Sequence, residues 1–225
     1  MKTLIVIPAF NEADNIQQFL PQIIEHNAHD VLVVDDFSSD DTAKRVKKLG
    51  LTCISLPDQL GAWGATQTGI RYALDHGYDQ VITMDADGQH LPEEVSTLLN
   101  HKNEQSNVVI GTFPKRLSRL KKLAWGFFKA LTLIKIQDLT SGFRLYDKQA
   151  MAALSGRRAS LLDYQDVGVL LLLLRSGLTI TEVPVKMQDR HDGKSRVFSS
   201  WLVVIKYMIQ TTTLCIANFG VKKVK

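Results

Sequence analysis

Asp85, Asp87 and Gln89 alternate along Val81-Ile82-Thr83-Met84-Asp85-Ala86-Asp87-Gly88-Gln89-His90, placing two carboxylates and a carboxamide at the end of an apolar, β-branched run. The run reads as a buried strand, and Gly88 lets the chain turn away after it. In open α/β sheets ligands sit outside the carboxyl ends of the strands, so these side chains are expected to face a substrate crevice. Hard oxygen donors of this kind suit Mg²⁺ or Mn²⁺, which keep several waters and take remaining ligands from substrate phosphates. The chemistry indicated is the handling of a diphosphate. An isolated Asp-x-Asp is also what an ordinary polar turn looks like, so its meaning depends on the elements around it.

Those elements alternate. Leu4 to Ile7 forms a short buried strand ended by Pro8, with Phe10-Asn11-Glu12 on the turn before an amphipathic helix from about Ala13 to His26. That helix is expected to bury Ile16, Phe19, Leu20, Ile23 and Ile24, with a break or kink near Leu20 caused by Pro21. Val31 to Val34 is the next strand and also ends in acid, Asp35-Asp36, before Ser38-Ser39-Asp40-Asp41 caps a helix to Leu49 that Gly50 stops. Lys44, Arg45, Lys47 and Lys48 suit that helix's carboxyl end and read as a solvated face. Leu51 to Leu56 is a third strand, and Gly61-Ala62-Trp63-Gly64 opens a helix up to Gly77. A glycine-rich turn into a helix can cradle phosphate, but the spacing is neither a Walker A nor a complete dinucleotide fingerprint, and a tight turn explains it equally well. A helix from Pro92 to near His101 and a strand from Asn107 to Gly111 follow. This alternation describes an α/β fold, a mostly parallel sheet with helices on both faces.

After Gly111 the pattern changes. The basic run Lys115 to Lys122 enters an apolar helix with Trp125, Phe127, Phe128 and Leu131, which suits either an acidic lipid headgroup beside acyl chains or a solvated helix end. Asp138 to Tyr146 is extended and carries a lone Arg144 among apolar neighbours, where it needs an anionic partner. Leu162 to Asp166 leads into a very apolar helix, Val167 to Leu174, closed by Gly177, and Thr179 to Met187 forms a last strand. Arg190 to Arg196 is a basic loop able to fold over a phosphate. His90 and His191 read as polar loop residues. From Val197 to Phe219 the chain is mostly apolar, yet Lys206, Gln210 and Asn218 argue against a membrane span and for an interfacial or partner-docking helix. A catalytic domain over residues 1–196 and a helix with a basic tail over 197–225 is the expected division.

With 225 residues, 45% of them apolar, one sizeable core is expected. The net charge of +4 permits an anionic substrate or membrane surface but does not by itself argue for nucleic acid, and no DNA or RNA recognition motif accompanies it. Cys53 and Cys215 offer neither a disulfide framework nor a zinc pattern, which fits a reducing compartment and the cytoplasmic side. No Gly-x-Gly-x-x-Gly follows the first strand, which disfavours a nicotinamide-dependent oxidoreductase.

Taken in order, Ile7-Pro8-Ala9-Phe10-Asn11-Glu12, Val33-Val34-Asp35-Asp36, Asp85-Ala86-Asp87-Gly88-Gln89-His90, Thr140-Ser141-Gly142-Phe143-Arg144 and Glu182-Val183-Pro184-Val185 followed by Gly193-Lys194-Ser195 resemble the family 2 glycosyltransferases, in particular the dolichyl- or polyprenyl-phosphate sugar synthase branch. The resemblance implies the nucleotide-diphospho-sugar transferase (GT-A) fold, a divalent metal and inverting transfer of a hexose from a UDP- or GDP-sugar to polyprenyl phosphate at the cytoplasmic membrane face. It places Pro8, Phe10, Glu12, Val34 and Asp36 around the nucleoside, and Asp85, Ala86, Asp87 and Gln89 at the metal and donor diphosphate. Ser141 and Arg144, with Arg190 and Lys194, are expected to hold acceptor phosphate or donor diphosphate. Asp166 sits where related transferases with hydroxyl acceptors place a base, while a helix N-cap role is equally open. A sugar hydroxyl on a lipid-linked glycan is the alternative acceptor, and a catalytically silent nucleotide-sugar-binding subunit the alternative class. Three departures from the family pattern stand out. Gly111-Thr112-Phe113 lacks a basic residue, moving that contact to Arg116 or Arg119; Trp63 between glycines is expected to alter the donor pocket; and the absent pair of spanning helices implies peripheral attachment or a small membrane subunit.

Overall fold

A computed structural model describes residues 1–113, 126, 136–188 and 208–213. Seven strands form one sheet in the order β3-β2-β1-β4-β6-β5-β7. They are β1 (Thr3–Ala9), β2 (Asp30–Asp35), β3 (Thr52–Ser55), β4 (Gln80–Thr83), β5 (Val108–Thr112), β6 (Arg144–Asp147) and β7 (Ile180–Pro184). All pairings are parallel except those of β6, which runs antiparallel between β4 and β5. The helices are α1 (Ala13–His26), α2 (Thr42–Lys48), α3 (Gly61–Asp75), α4 (Glu94–His101), α5 (Lys148–Ser155) and α6 (Val167–Arg175), with a 3₁₀ turn at Ala159–Leu161.

Strand side chains alternate between faces, and the core divides accordingly. Leu4, Val6, Leu32, Val34, Val81, Val108 and Tyr146 pack with residues of α3, α5 and α6. Ile5, Ile7, Val31, Val33, Ile82, Val109 and Leu145 pack with residues of α1, α2 and α4. Both faces of the sheet are covered, which is why its strands read as continuous apolar runs.

Several expectations need correction. Pro21 lies inside an unbroken α1, exposed on its outer side, and Ile24 is exposed rather than buried. Arg45 is not part of a solvated face: its Nη1 donates to the Ala13 carbonyl (3.0 Å), Asp14 (2.9 Å) and Gln17 (2.9 Å), bolting α2 to α1. Trp63 turns into the core, almost fully buried, and its Nε1 donates to the Ala159 carbonyl at 2.7 Å, so it acts from beneath the turn and not on its surface. Helix α5 and the turn after it have no counterpart in the sequence reading. The basic run 115–122, Arg190, Lys194, Cys215 and most of the tail lie outside the described residues; 208–213 are helical.

Candidate active site

Strand β4 ends at Thr83, and the Asp85–His90 turn follows directly at the carboxyl end of the parallel strands. The turn is built largely from its own atoms. Asp87 Oδ1 accepts the Gln89 N–H at 3.1 Å, and Gly88 supplies a positive φ of 72° that few other residues adopt. From the far side Gln188 clamps it, its backbone N–H donating to the Gln89 carbonyl (3.0 Å) and its side chain to the Gly88 carbonyl (2.5 Å). Asp87 and Gln89 are each 8% exposed, whereas the Asp85 side chain is 37% exposed and faces outward.

His90 is no loop residue. It is fully buried, stacked on Phe143 with centroids 5.0 Å apart, and its Nδ1 accepts the Asp85 N–H at 3.1 Å. That bond puts the proton of a neutral ring on Nε2, which lies 3.7 Å from the Asp85 carboxylate. The imidazole thus fixes the backbone of Asp85, and its Nε2 stands near the carboxylate without a hydrogen bond to it. Sequence reasoning missed this role because only the fold brings Phe143 beneath the ring; the adjacency of His90 to the acidic turn was the available signal.

A second turn, residues 138–143, backs the first. Thr83 Oγ1 donates to the Gly142 carbonyl (2.6 Å), Ser141 Oγ to the Gly111 carbonyl (2.6 Å), and Glu182 accepts the N–H groups of Gln137 and Asp138. Arg144, expected to meet an anion, is fully buried, its Nε donating to the Ser141 carbonyl (2.7 Å) and its Nη2 to the Leu139 carbonyl (3.0 Å). It therefore shapes this turn from within. The product of that clamping is a close approach: a Cβ on Gly142 would stand 2.4 Å and 2.7 Å from the two Asp85 carboxylate oxygens.

The other acidic strand ends form a neighbouring wall. Asn11, with φ of 53°, has its N–H taken by Ser38 Oγ, Glu12 by Thr42 Oγ1 and Ala13 by Asp40 Oδ2, so the loops after β1 and β2 are stitched together. Asp36 is buried, and its Oδ1 accepts the Leu60 N–H at 2.7 Å at the start of α3. Burial pushes its carboxyl above the usual carboxylate range, against the opposing pull of the Leu60 and Gly61 N–H groups. The glycine-rich turn therefore receives the Asp36 carboxylate. Pro8 and Phe10 are half-buried and Glu12 is buried beside this wall, while the Val34 side chain is wholly inside the core and offers a ligand no side-chain surface. Ala86 is buried in the opposite core layer.

Asp166 caps α6, its carboxylate accepting the Gly168 N–H at 3.2 Å. The residue before it reaches the site: Gln165 Nε2 donates to Thr83 Oγ1 (3.1 Å) and to the Tyr146 hydroxyl (2.8 Å). A cleft of about 320 Å³ lies at the opposite end of the strands, lined by Leu4, Asp30, Tyr72 and Tyr78 among others, and borders none of these groups.

The sequence profile described as Glycosyl transferase family 2 matches residues 4–154. The chain belongs to that family, and it is a glycosyltransferase. Among its relatives is a polyprenol monophosphomannose synthase of Mycolicibacterium smegmatis, 28% identical over 88% of this chain and 82% of the relative. An undecaprenyl-phosphate mannosyltransferase of Micrococcus luteus is likewise 28% identical, over 88% of each chain. Glucosyl-3-phosphoglycerate synthase of Mycobacterium tuberculosis, solved with Mn²⁺, UDP and phosphoglyceric acid, superposes with a TM-score of 0.75 at 18% identity, covering 99% of this chain and 80% of its own. That likeness establishes the GT-A type of fold.

The site has features that fit a divalent cation. Gln89 Oε1 is buried with no hydrogen-bond partner, Asp85 and Asp87 supply hard oxygens, and the side-chain-free Gly142 leaves Asp85 its space. Among the described residues no group of three or more His, Cys, Asp or Glu could hold a metal alone, so the protein would supply a partial shell completed by substrate oxygens and water.

Proposed function

We propose that this glycosyltransferase moves a hexose from a nucleotide diphosphate sugar to polyprenyl phosphate, with inversion and with Mg²⁺ or Mn²⁺ at Asp85, Asp87 and Gln89. The observation that carries the donor half is the Asp85–Asp87 pair at the end of β4, held by His90 on one side and the Gly142 turn on the other. Residues 1–196 would form the catalytic domain and 197–225 a docking segment. The names of the relatives support a polyprenyl phosphate acceptor, and UDP and GDP are both open as the donor nucleotide.

When bound, the cation would offset the charge that develops on the leaving nucleoside diphosphate. The chain's own residues position the rest. Asp36, presented by the α3 N-terminus beside half-buried Pro8 and Phe10, offers a hydrogen-bond acceptor to base or ribose. Arg144 and Thr83 lock the Ser141-Gly142 turn, so Asp85 meets the diphosphate without reorganising. A phosphate monoester with its second pKa near about 6 is already largely a dianion at neutral pH, so no strong base is required of the protein. The engagement of Asp166 Oδ1 as the α6 cap agrees with that economy. Arg190 and Lys194 remain proposed phosphate contacts.

The test is transfer of radiolabelled sugar from a panel of UDP- and GDP-sugars to polyprenyl phosphate in detergent with Mn²⁺, with an EDTA control. A chloroform-soluble, EDTA-sensitive product that disappears in Asp87→Ala supports the reading. Undiminished transfer by a folded Asp87→Ala protein would sink it.

A further inference from the structure

The segment between α5 and α6 presents an apolar and basic edge beside α3. Helix α3 grips this segment with three side chains spaced four residues apart. Trp63 donates to the Ala159 carbonyl (2.7 Å), Gln67 to the Leu154 carbonyl (2.8 Å), and Arg71 to the Ser155 carbonyl (3.0 Å) and Ser160 Oγ (2.8 Å). A turn anchored this firmly has no slack with which to fold its side chains inward, yet Leu161 is 83% exposed. Arg157 and Arg158 beside it are exposed and have no carboxylate partner among the described residues. Two residues further, Asp163 Oδ2 accepts from Gln210 Nε2 at 2.9 Å, which brings the 208–213 helix and its exposed Ile209 to the same edge. Gln165, four residues beyond Leu161, reaches Thr83 at the root of the acidic turn.

We infer that Arg157, Arg158, Leu161 and Ile209 form a membrane-docking edge for an anionic lipid surface. Two guanidinium groups attract anionic headgroups, and aliphatic side chains on a rigid turn enter the interface without a further ordering cost. A protein partner would be expected to cover a broader apolar surface than two separated aliphatic tips flanked by cations. Docked here, the chain would be held on the surface where a phosphate on a long lipid is presented. That consequence rests on the transferase reading above; the docking itself does not.

The experiment is sedimentation of the full chain with vesicles of phosphatidylcholine alone and of phosphatidylcholine with phosphatidylglycerol. Wild type should partition to the anionic vesicles in a salt-sensitive way. R157E/R158E should lower that partitioning roughly 10- to 30-fold, and Leu161→Ser by several-fold, with unchanged melting temperatures. Transfer to a short, water-soluble prenyl phosphate serves as a separate arm and should be unaffected by these exposed substitutions. If wild type ignores anionic vesicles, or the variants bind them as wild type does, the docking edge is refuted even if transfer occurs. If the variants lose vesicle binding but no acceptor is glycosylated by any form, the docking stands and the proposed acceptor chemistry falls.

Discussion

Gly142→Ala is the most incisive perturbation of the site, because it adds one methyl group where the structure leaves room for none. The new Cβ would lie 2.4 Å from Asp85 Oδ1, 2.7 Å from Oδ2 and 2.8 Å from Cγ, whereas ordinary contact begins at 3.4 Å. Gly142 does not have a positive φ, so alanine meets no backbone strain there and the collision is the whole effect. The turn cannot retreat, because Thr83 holds the Gly142 carbonyl, and Ser141 and Arg144 hold its neighbour. Asp85 must therefore yield by about 1 Å, a displacement that costs on the order of 10²-fold in rate when it misplaces a group in the reacting geometry. The Asp85 side chain is 37% exposed and can swing toward solvent, so the stability cost should sit near the low end of overpacking, about 1 kcal/mol. The assay is sugar transfer as a function of Mn²⁺ concentration, with the melting temperature measured in parallel. The expected variant melts almost normally, needs more Mn²⁺ for half-maximal rate and turns over roughly a hundredfold more slowly. Transfer and Mn²⁺ dependence within about threefold of wild type would refute the claim that the position of Asp85, fixed by this turn, matters to the chemistry.

Asp166→Asn should keep the α6 cap and leave transfer to a phosphate acceptor within a few-fold, while Asp166→Ala should lose about 1 kcal/mol of stability in a denaturant titration; a hundredfold loss in the Asn variant would instead mark a base. For Asp36, burial raises the folded-state pKa, so the unfolded chain ionises first and the carboxyl weakens the fold as pH rises from the unfolded value through the folded one. Asp36→Asn, which retains an acceptor for Leu60, should thus gain melting temperature relative to wild type at neutral pH and lose that advantage on acidification; a difference independent of pH would contradict the assignment. Arg144→Ala removes two charge-assisted hydrogen bonds and opens a cavity at a fully buried position, so it should cost about 3 kcal/mol or more by equilibrium unfolding, and a neutral result would show that the turn does not need its guanidinium.

Strand ends carrying acid were legible because they are local: a β-branched run stopped by Asp-Ala-Asp-Gly or Asp-Asp says both what is buried and where charge collects. The buried face of α1 was legible for the same reason, apart from Ile24 at its edge, and the N-cap of α6 was one of the two roles open to Asp166. Periodicity does not say what a buried side chain touches. A single chain cannot show that the carbonyls of residues 139 and 141 receive two of the Arg144 nitrogens while Nη1 stays buried without a partner among the described residues, or that the Ala159 carbonyl receives Trp63. His90 passed for a loop residue since its stacking partner lies 53 positions away, just before the antiparallel strand that pairs with β4. The sequence by itself determined the alternating α/β pattern, the family and the strand ends at which acid collects. Tertiary structure alone decided the insertion of β6 between β4 and β5, and with it the packing of Gly142 against Asp85. Strand order is set by long-range pairing that leaves no periodic trace in the chain.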